Sequence, residues 1–168
     1  LVAECVRILP EFAGIELTGG PQVGLVMQLS DGGRVPAENL SQGTLYAIGV
    51  LALSFDPAPP AILCIEEIDR GIHPRLLREV RDALYRLSYP QSFESKQRPV
   101  QTIATTHSPY LLDLFRDHPE EIVLANKRGT EAQFERLADR PDIAELLREG
   151  SLGDMWFSGI LGGVPEER

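Results

Sequence analysis

Ala61-Ile62-Leu63-Cys64-Ile65-Glu66-Glu67 is the stretch on which the fold of this chain turns. Five apolar residues in a row read as a strand buried on both faces, of the kind found inside a parallel sheet, with Cys64 in the interior. The run ends on two adjacent carboxylates, so its end is expected to meet a cavity or solvent. In open α/β sheets, ligands bind at the carboxyl ends of strands. Paired acids at such an end suit a bound Mg²⁺ and a polarised water, which points to phosphate chemistry. The same pair also reads as two solvated acids, and the pair alone does not separate the readings.

The elements on either side of this run alternate. Upstream, Val2 to Leu9 has a helical flavour and stops at Pro10, while the rest of residues 1–20 carries no clear pattern. Val23 to Leu29 reads as a strand, and Asp31-Gly32-Gly33 as a turn into a short return strand near Arg34-Val35. A helix apolar on nearly all sides starts near Ser41 and runs to Leu53, broken by Asp56-Pro57-Ala58-Pro59-Pro60. Downstream, His73-Pro74 opens a helix with Leu76, Val80, Leu84 and Leu87 at helical spacing. Gln91 to Pro99 is polar and reads as a loop. Val100 to Thr105 reads as a second buried strand, ended by Thr106-His107. Ser108-Pro109 supplies the cap and first-turn residue of the next helix. Glu121 to Asn126 is a third strand, which Thr130 to Leu137 can pair across a turn at Lys127-Arg128-Gly129. Asp142 to Glu149 is a short helix. The tail from Ser151 to Arg168 holds the only tryptophan, Trp156. Strand and helix in alternation give the α/β class.

Composition sets bounds. A chain of 168 residues with 43% hydrophobic and 24% charged residues is long enough for a real core. The net charge of −9 makes most of the surface repel nucleic acid and anionic membranes. Arg70, Arg75, Arg78, Arg81 and Arg86 form a local exception that can contact phosphates or pair with neighbouring acids. No apolar run reaches the length of a membrane span. Cys5 and Cys64 make no disulfide framework, and a reduced, cytoplasmic setting is expected.

Three constellations follow one another. Leu40-Ser41-Gln42-Gly43-Thr44 sits at a helix start, where backbone N–H groups and the helix dipole favour an anion and Gly43 lets a ligand approach. Ser41 also reads as a plain N-cap. Glu66-Glu67, followed by Asp69, ends the first strand. Thr105-Thr106-His107-Ser108 ends the next, where a histidine can bond a γ-phosphate or cap the following helix.

Taken together and in this order, the three resemble ABC-type ATPases. LSQGT resembles their signature motif, AILCIEE their Walker B strand with its catalytic glutamate, and TIATTH their switch-histidine loop. Asp69 falls at the D-loop. The wording LSQGT…EEIDRGIHP…TTHSPYLLD is most similar to the OLD/RecF/SMC-like branch, which is linked to DNA repair, recombination or phage defence and not to transport. The resemblance covers roughly residues 20–126. It implies a P-loop NTPase fold of the ABC ATPase kind, partial here, with a mainly parallel sheet flanked by helices. It also implies roles. Ser41, Gln42 and Gly43 would contact the γ-phosphate of an ATP held mainly by a second subunit, and Asp69 would work across that dimer interface. Glu66 would support Mg²⁺, Glu67 would orient or deprotonate the attacking water, and His107 would sense the γ-phosphate. Gln42 stands where transporters usually carry Gly, Thr44 where they often carry Gln, and Glu66 where Asp is usual. These departures fit the OLD-like branch.

A P-loop needs Gly-x-x-x-x-Gly-Lys-Ser/Thr. Lys96 and Lys127 are the only lysines, and neither completes it. Residues 1–168 therefore look like the C-terminal portion of an ABC-type ATPase domain, with 151–168 as a tail, expected to be inactive by itself. Two other readings stand beside this one. The first is a non-catalytic remnant lobe used as a binding or regulatory module. The second is a metal-dependent hydrolase or nuclease built on Glu66, Glu67, Asp69, His73 and His107. A nucleic-acid partner is an expectation for the whole protein only, a homodimer is expected through the signature and D-loop surfaces, and no membrane is expected.

Overall fold

The computed structural model describes residues 1–20 and 23–162. The chain divides into two compact units, Leu1–Thr106 and His107–Arg168.

The first unit opens with helix α1 (Val2–Ile8), followed by β1 (Phe12–Thr18), β2 (Gly24–Leu29) and β3 (Arg34–Pro36). These strands form an antiparallel sheet in the order β1-β2-β3, with Leu17 opposite Leu25 and Met27 opposite Val35. Gly33 closes the β2–β3 turn by donating its N–H to Asp31 Oδ1 at 2.8 Å. Leu9, Phe12, Met27 and Ile48 form the core under this sheet. Full burial of a side chain such as Met27 contributes about 1.5–3 kcal/mol.

Ile48 belongs to α2 (Gln42–Ser54), which starts where Ser41 caps it: the Ser41 hydroxyl accepts from Thr44 N–H at 3.1 Å. The acid-ended strand is β4 (Ile62–Ile65), and α3 (Leu77–Ser88) follows a 3₁₀ turn that begins at Pro74. Leu77, Val80, Ala83, Leu84 and Leu87 give α3 its buried stripe. Strand β5 (Gln101–Ala104) runs parallel to β4, with Cys64 opposite Ile103.

This parallel pair departs from expectation. The sequence pattern predicts both strands buried on both faces, yet Ile62 is 57% and Ile103 52% exposed, and Cys64 lies at the surface. The reason is the width of the sheet. Each strand pairs only with the other, and the face bearing Ile62, Cys64 and Ile103 is left uncovered among the described residues. Among the described residues the parallel sheet consists of this one pair, while the other two sheets are antiparallel, with short turns joining β2 to β3 and β6 to β7.

The second unit contains α4 (Pro109–Leu114), the hairpin β6 (Val123–Arg128) and β7 (Glu131–Arg136), α5 (Ile143–Glu149) and α6 (Leu152–Phe157). Ile122, Leu124, Leu137, Leu146, Leu152, Met155 and Leu161 form its core. The tail is therefore structured as far as Gly162, and the remainder of it, residues 163–168, lies outside the described residues. No helix among the described residues is long and apolar enough to cross a membrane.

Candidate functional site

The end of β4 leads into a tight turn over residues 66–72 whose backbone is tied at nearly every step. Thr105 N–H donates to Ile65 O at 3.0 Å, and Thr105 O accepts from Ile68 N–H at 3.0 Å, so the parallel ladder continues past the strand ends. Arg70 N–H reaches Glu67 O at 2.8 Å, and Ile72 N–H reaches Asp69 O at 3.0 Å. Ile68, fully buried, plugs the turn into the core. Within this frame Glu66 and Glu67 both point to the exposed side. Glu67 adopts a left-handed backbone at φ 48°, an uncommon conformation for a residue with a Cβ. Its N–H donates to the Thr105 hydroxyl at 3.0 Å, and its carboxylate lies 3.9 Å from the Arg70 guanidinium.

Asp69 is tied to the residues that follow β5. Its Oδ1 accepts from the Thr106 hydroxyl at 2.5 Å. His73 accepts Arg75 N–H on Nδ1 at 3.2 Å and so caps the turn that precedes α3. These two contacts give both side chains local work. Among the described residues no group of three or more His, Cys, Asp or Glu comes together as a metal site.

The start of α2 lies against the same turn. Gly43 is buried, and a Cβ there would stand 1.9 Å from the Gly71 carbonyl oxygen. Gly71 itself has φ +68°. In this structure the small size of Gly43 serves the contact between α2 and the acid turn, a reason different from the approach of a ligand. Three residues further along, the Tyr46 hydroxyl donates to Glu66 O at 3.0 Å. Ser41 and Gln42 are exposed at the head of the helix.

Between α2 and β4 runs an open groove of about 930 Å³. Leu45, Gly49, Leu53, Leu63 and Ile65 line its body, and Gln42, Tyr46, Glu66, Glu67 and Arg70 line its polar part. Polar and apolar groups share its lining about evenly, and the polar ones converge at one end as they do in ligand sites.

The second unit carries His107, exposed, directly before Ser108. The Ser108 hydroxyl caps α4 by accepting Leu111 N–H at 3.3 Å. The imidazole lies against the Trp156 indole, with ring centroids 6.4 Å apart.

The first unit thus brings Ser41, Gln42, Gly43, Glu66, Glu67 and Asp69 to one turn and one helix start. The reading of the sequence did not single out Tyr46, Gly71, Thr105 or Thr106 as parts of this frame. The Thr105-Thr106 doublet before the histidine was the available signal, and its meaning depends on a partner some 38 residues earlier.

The chain is similar to proteins of known kind. Over 130 residues the chain is 32% identical to the energy-coupling factor transporter ATP-binding protein EcfA2 of Bacillus licheniformis, covering 74% of this chain and 39% of that protein. The chain thus spans well under half the length of this relative. Its fold is also that of a solved chain from work on ATP-driven dimerization and DNA-stimulated activation of SMC ATPases, with a TM-score of 0.57, 15% identity and 89% of both chains covered. The fold is P-loop NTPase-like. Residues 15–113, more than half of the chain, match the family described as AAA domain, putative AbiEii toxin, Type IV TA system, and this chain belongs to that family of ATPase-type domains.

Proposed function

We propose that this chain is the part of an ATP-hydrolysing domain that carries the signature helix, the two strand-end acids and the histidine that faces the γ-phosphate. The observation that carries the reading is the meeting of Glu66 and Glu67 with the start of α2 at one groove, tied by the Tyr46–Glu66 hydrogen bond. ATP is the substrate. Ser41, Gln42 and Gly43 take the γ-phosphate of a nucleotide held by a second subunit, the exposed helix start offering a hydroxyl and a positive dipole end. Asp69 serves the same dimer interface. Glu67, exposed and fixed in direction by its turn, orients the attacking water or accepts its proton.

Mg²⁺ fits the donor set, because this ion is commonly held by one or two carboxylates together with phosphate oxygens. Glu66 would hold it, with the ion neutralising charge on the phosphates when bound. His107 bonds the γ-phosphate from the end of β5.

These 168 residues contain no P-loop sequence, so the loop that cradles the phosphates comes from outside them. The isolated chain then binds ATP weakly and hydrolyses little. The setting is cytoplasmic, and the physiological role is DNA repair, recombination or phage defence. The family description, with its toxin–antitoxin wording, supports the defence reading. The lack of a P-loop also supports a second reading, a non-catalytic lobe used for binding or regulation.

Titration calorimetry of the isolated chain with Mg-ATP tests the first point, and micromolar affinity with turnover would refute it. In the protein that supplies the P-loop, Glu67→Gln is expected to keep ATP binding and dimerisation while turnover falls roughly 10²- to 10⁴-fold. Full turnover in that variant removes Glu67 from its role. Absence of any ATPase activity in the parent protein favours the non-catalytic reading.

A further inference from the structure

The tail beginning at Ser151 is fastened to α4 and to the residues just before it by three contacts. Asp113 of α4 caps α6: Gly153 N–H donates to its Oδ1 at 3.0 Å, and the Ser151 hydroxyl donates to its Oδ2 at 2.8 Å. Gly153 is buried against Pro109, where a Cβ would stand 2.5 Å from the Pro109 carbonyl oxygen. The two helices therefore meet backbone to backbone. The third contact joins the His107 and Trp156 rings, 6.4 Å apart between centroids with their planes tilted by 36°. Aromatic rings attract at about this separation in tilted arrangements.

Support for the two rings is unequal. Trp156 is half-buried and packs on the second unit's core, beside the buried Leu152 and Met155. His107 is exposed and has only the cap residue Ser108 between it and α4. The helix fixes the backbone of His107, but its side-chain torsions need a further constraint. The indole, held from behind, supplies one.

We propose that Trp156 is a positioning residue for His107: α6, locked to α4 through Asp113 and Gly153, holds the indole against the imidazole and sets the direction in which the ring presents its nitrogens. This rests on the reading of His107 as the residue that meets the γ-phosphate.

Two measurements test it. In the 168-residue chain, the ring current of Trp156 should displace the His107 imidazole proton signals in the NMR spectrum. Trp156→Ala should return them to the positions of an unstacked histidine, and Trp156→Phe should keep part of the displacement. Asp113→Ala, which frees α6, should move them toward the unstacked position. Signals that stay in place in folded Trp156→Ala overturn the proposal. So do signals that stay in place in Trp156→Phe, should the alanine variant fail to fold.

In the protein completed by its P-loop, Trp156→Ala should lower kcat roughly tenfold at unchanged KM for ATP, since small misplacement of a reacting group is costly. Trp156→Phe should recover most of that loss. Full kcat in Trp156→Ala beside a crippled His107→Ala overturns the positioning role alone. Full kcat in His107→Ala overturns the reading of His107 itself, whatever the NMR signals do.

Discussion

The Glu67 N–H donates to the Thr105 hydroxyl at 3.0 Å while Glu67 holds a left-handed backbone at φ 48°. Thr105 also bonds Ile65 and Ile68 through its main chain, so one residue of β5's end spans the whole entry to the acid turn. A residue with a Cβ stays in this conformation only when its surroundings hold it there. The hydroxyl is one of those holds, and it costs nothing to test separately from the backbone bonds.

Thr105→Val keeps the branched shape and removes the acceptor. It should destabilise the chain by about 1 kcal/mol, the usual worth of one hydrogen bond. Turnover of the completed ATPase should fall about tenfold at constant KM, because Glu67 loses its fixed direction. Thr105→Ser should restore both. Urea unfolding and steady-state kinetics read the two effects, and a valine variant equal to wild type in both removes the hydroxyl from the frame.

Glu67→Gly separates stability from activity. Glycine adopts positive φ without steric cost, whereas a left-handed residue with a Cβ pays about 1 kcal/mol or more. The Glu67 side chain is 49% exposed, so little packing is lost with it. Folding stability should therefore be unchanged or up to about 1 kcal/mol higher, while turnover of the completed ATPase disappears. A clear loss of stability in thermal unfolding would show that the carboxylate supports the fold.

Much of this frame was legible in the sequence, and the remainder was hidden for definable reasons. Local signals were enough where the physics is local: Ser41 and Ser108 cap their helices, and Val80, Leu84 and Leu87 lie on the buried stripe of α3 at the expected spacing, whereas Leu76 ends the 3₁₀ turn before the helix and Leu77 takes the first buried place. The parallel pairing of β4 and β5 followed from their alternation with helices. The exposure of Ile62, Cys64 and Ile103 did not follow, because burial of a strand depends on what stands beside it and not on its own residues. Strand β1 escaped notice since Phe12–Thr18 follows a proline and carries no clean alternation. The bonds from Tyr46 to Glu66 and from Thr106 to Asp69 span 20 and 37 residues, and no spacing rule reports such contacts.

Acid should loosen the Glu4–Arg7 pair within α1. Arg7 donates to Glu4 at 2.8 Å and also pairs with Glu79. The hydrogen bond from Arg7 holds the Glu4 carboxyl below its ordinary range. A depressed carboxylate contributes stability that is complete above its unfolded value, about pH 4.3, and fades as pH falls through the lower folded value. Since both partners are partly exposed, Glu4→Gln should cost only about 0.2–1 kcal/mol at neutral pH. Urea midpoints for wild type and variant should converge by about pH 3. A difference that persists undiminished in acid would assign the effect to packing instead of charge.

Two glycines of one helix should respond to alanine with opposite signs. Gly43 faces the Gly71 carbonyl so closely that a Cβ would stand 1.9 Å from it, and Gly71, at φ +68°, holds a left-handed turn that glycine adopts freely. Neither backbone can move far, since Tyr46 and Ile68 tie helix and turn in place. Gly43→Ala should therefore cost about 1–3 kcal/mol as overpacking, read as a fall in Tm of roughly 3–10 °C. Gly49 lies on the same helix with nothing within 4 Å of its would-be Cβ. There alanine meets no clash and reduces the freedom of the unfolded chain, so Gly49→Ala should add about 0.4–1 kcal/mol. Thermal unfolding of the two variants decides the matter: a shift of the same sign in both would mean that α2 does not rest on the acid turn through Gly43, and the route from the helix start to Glu66 and Glu67 would lose its closest contact.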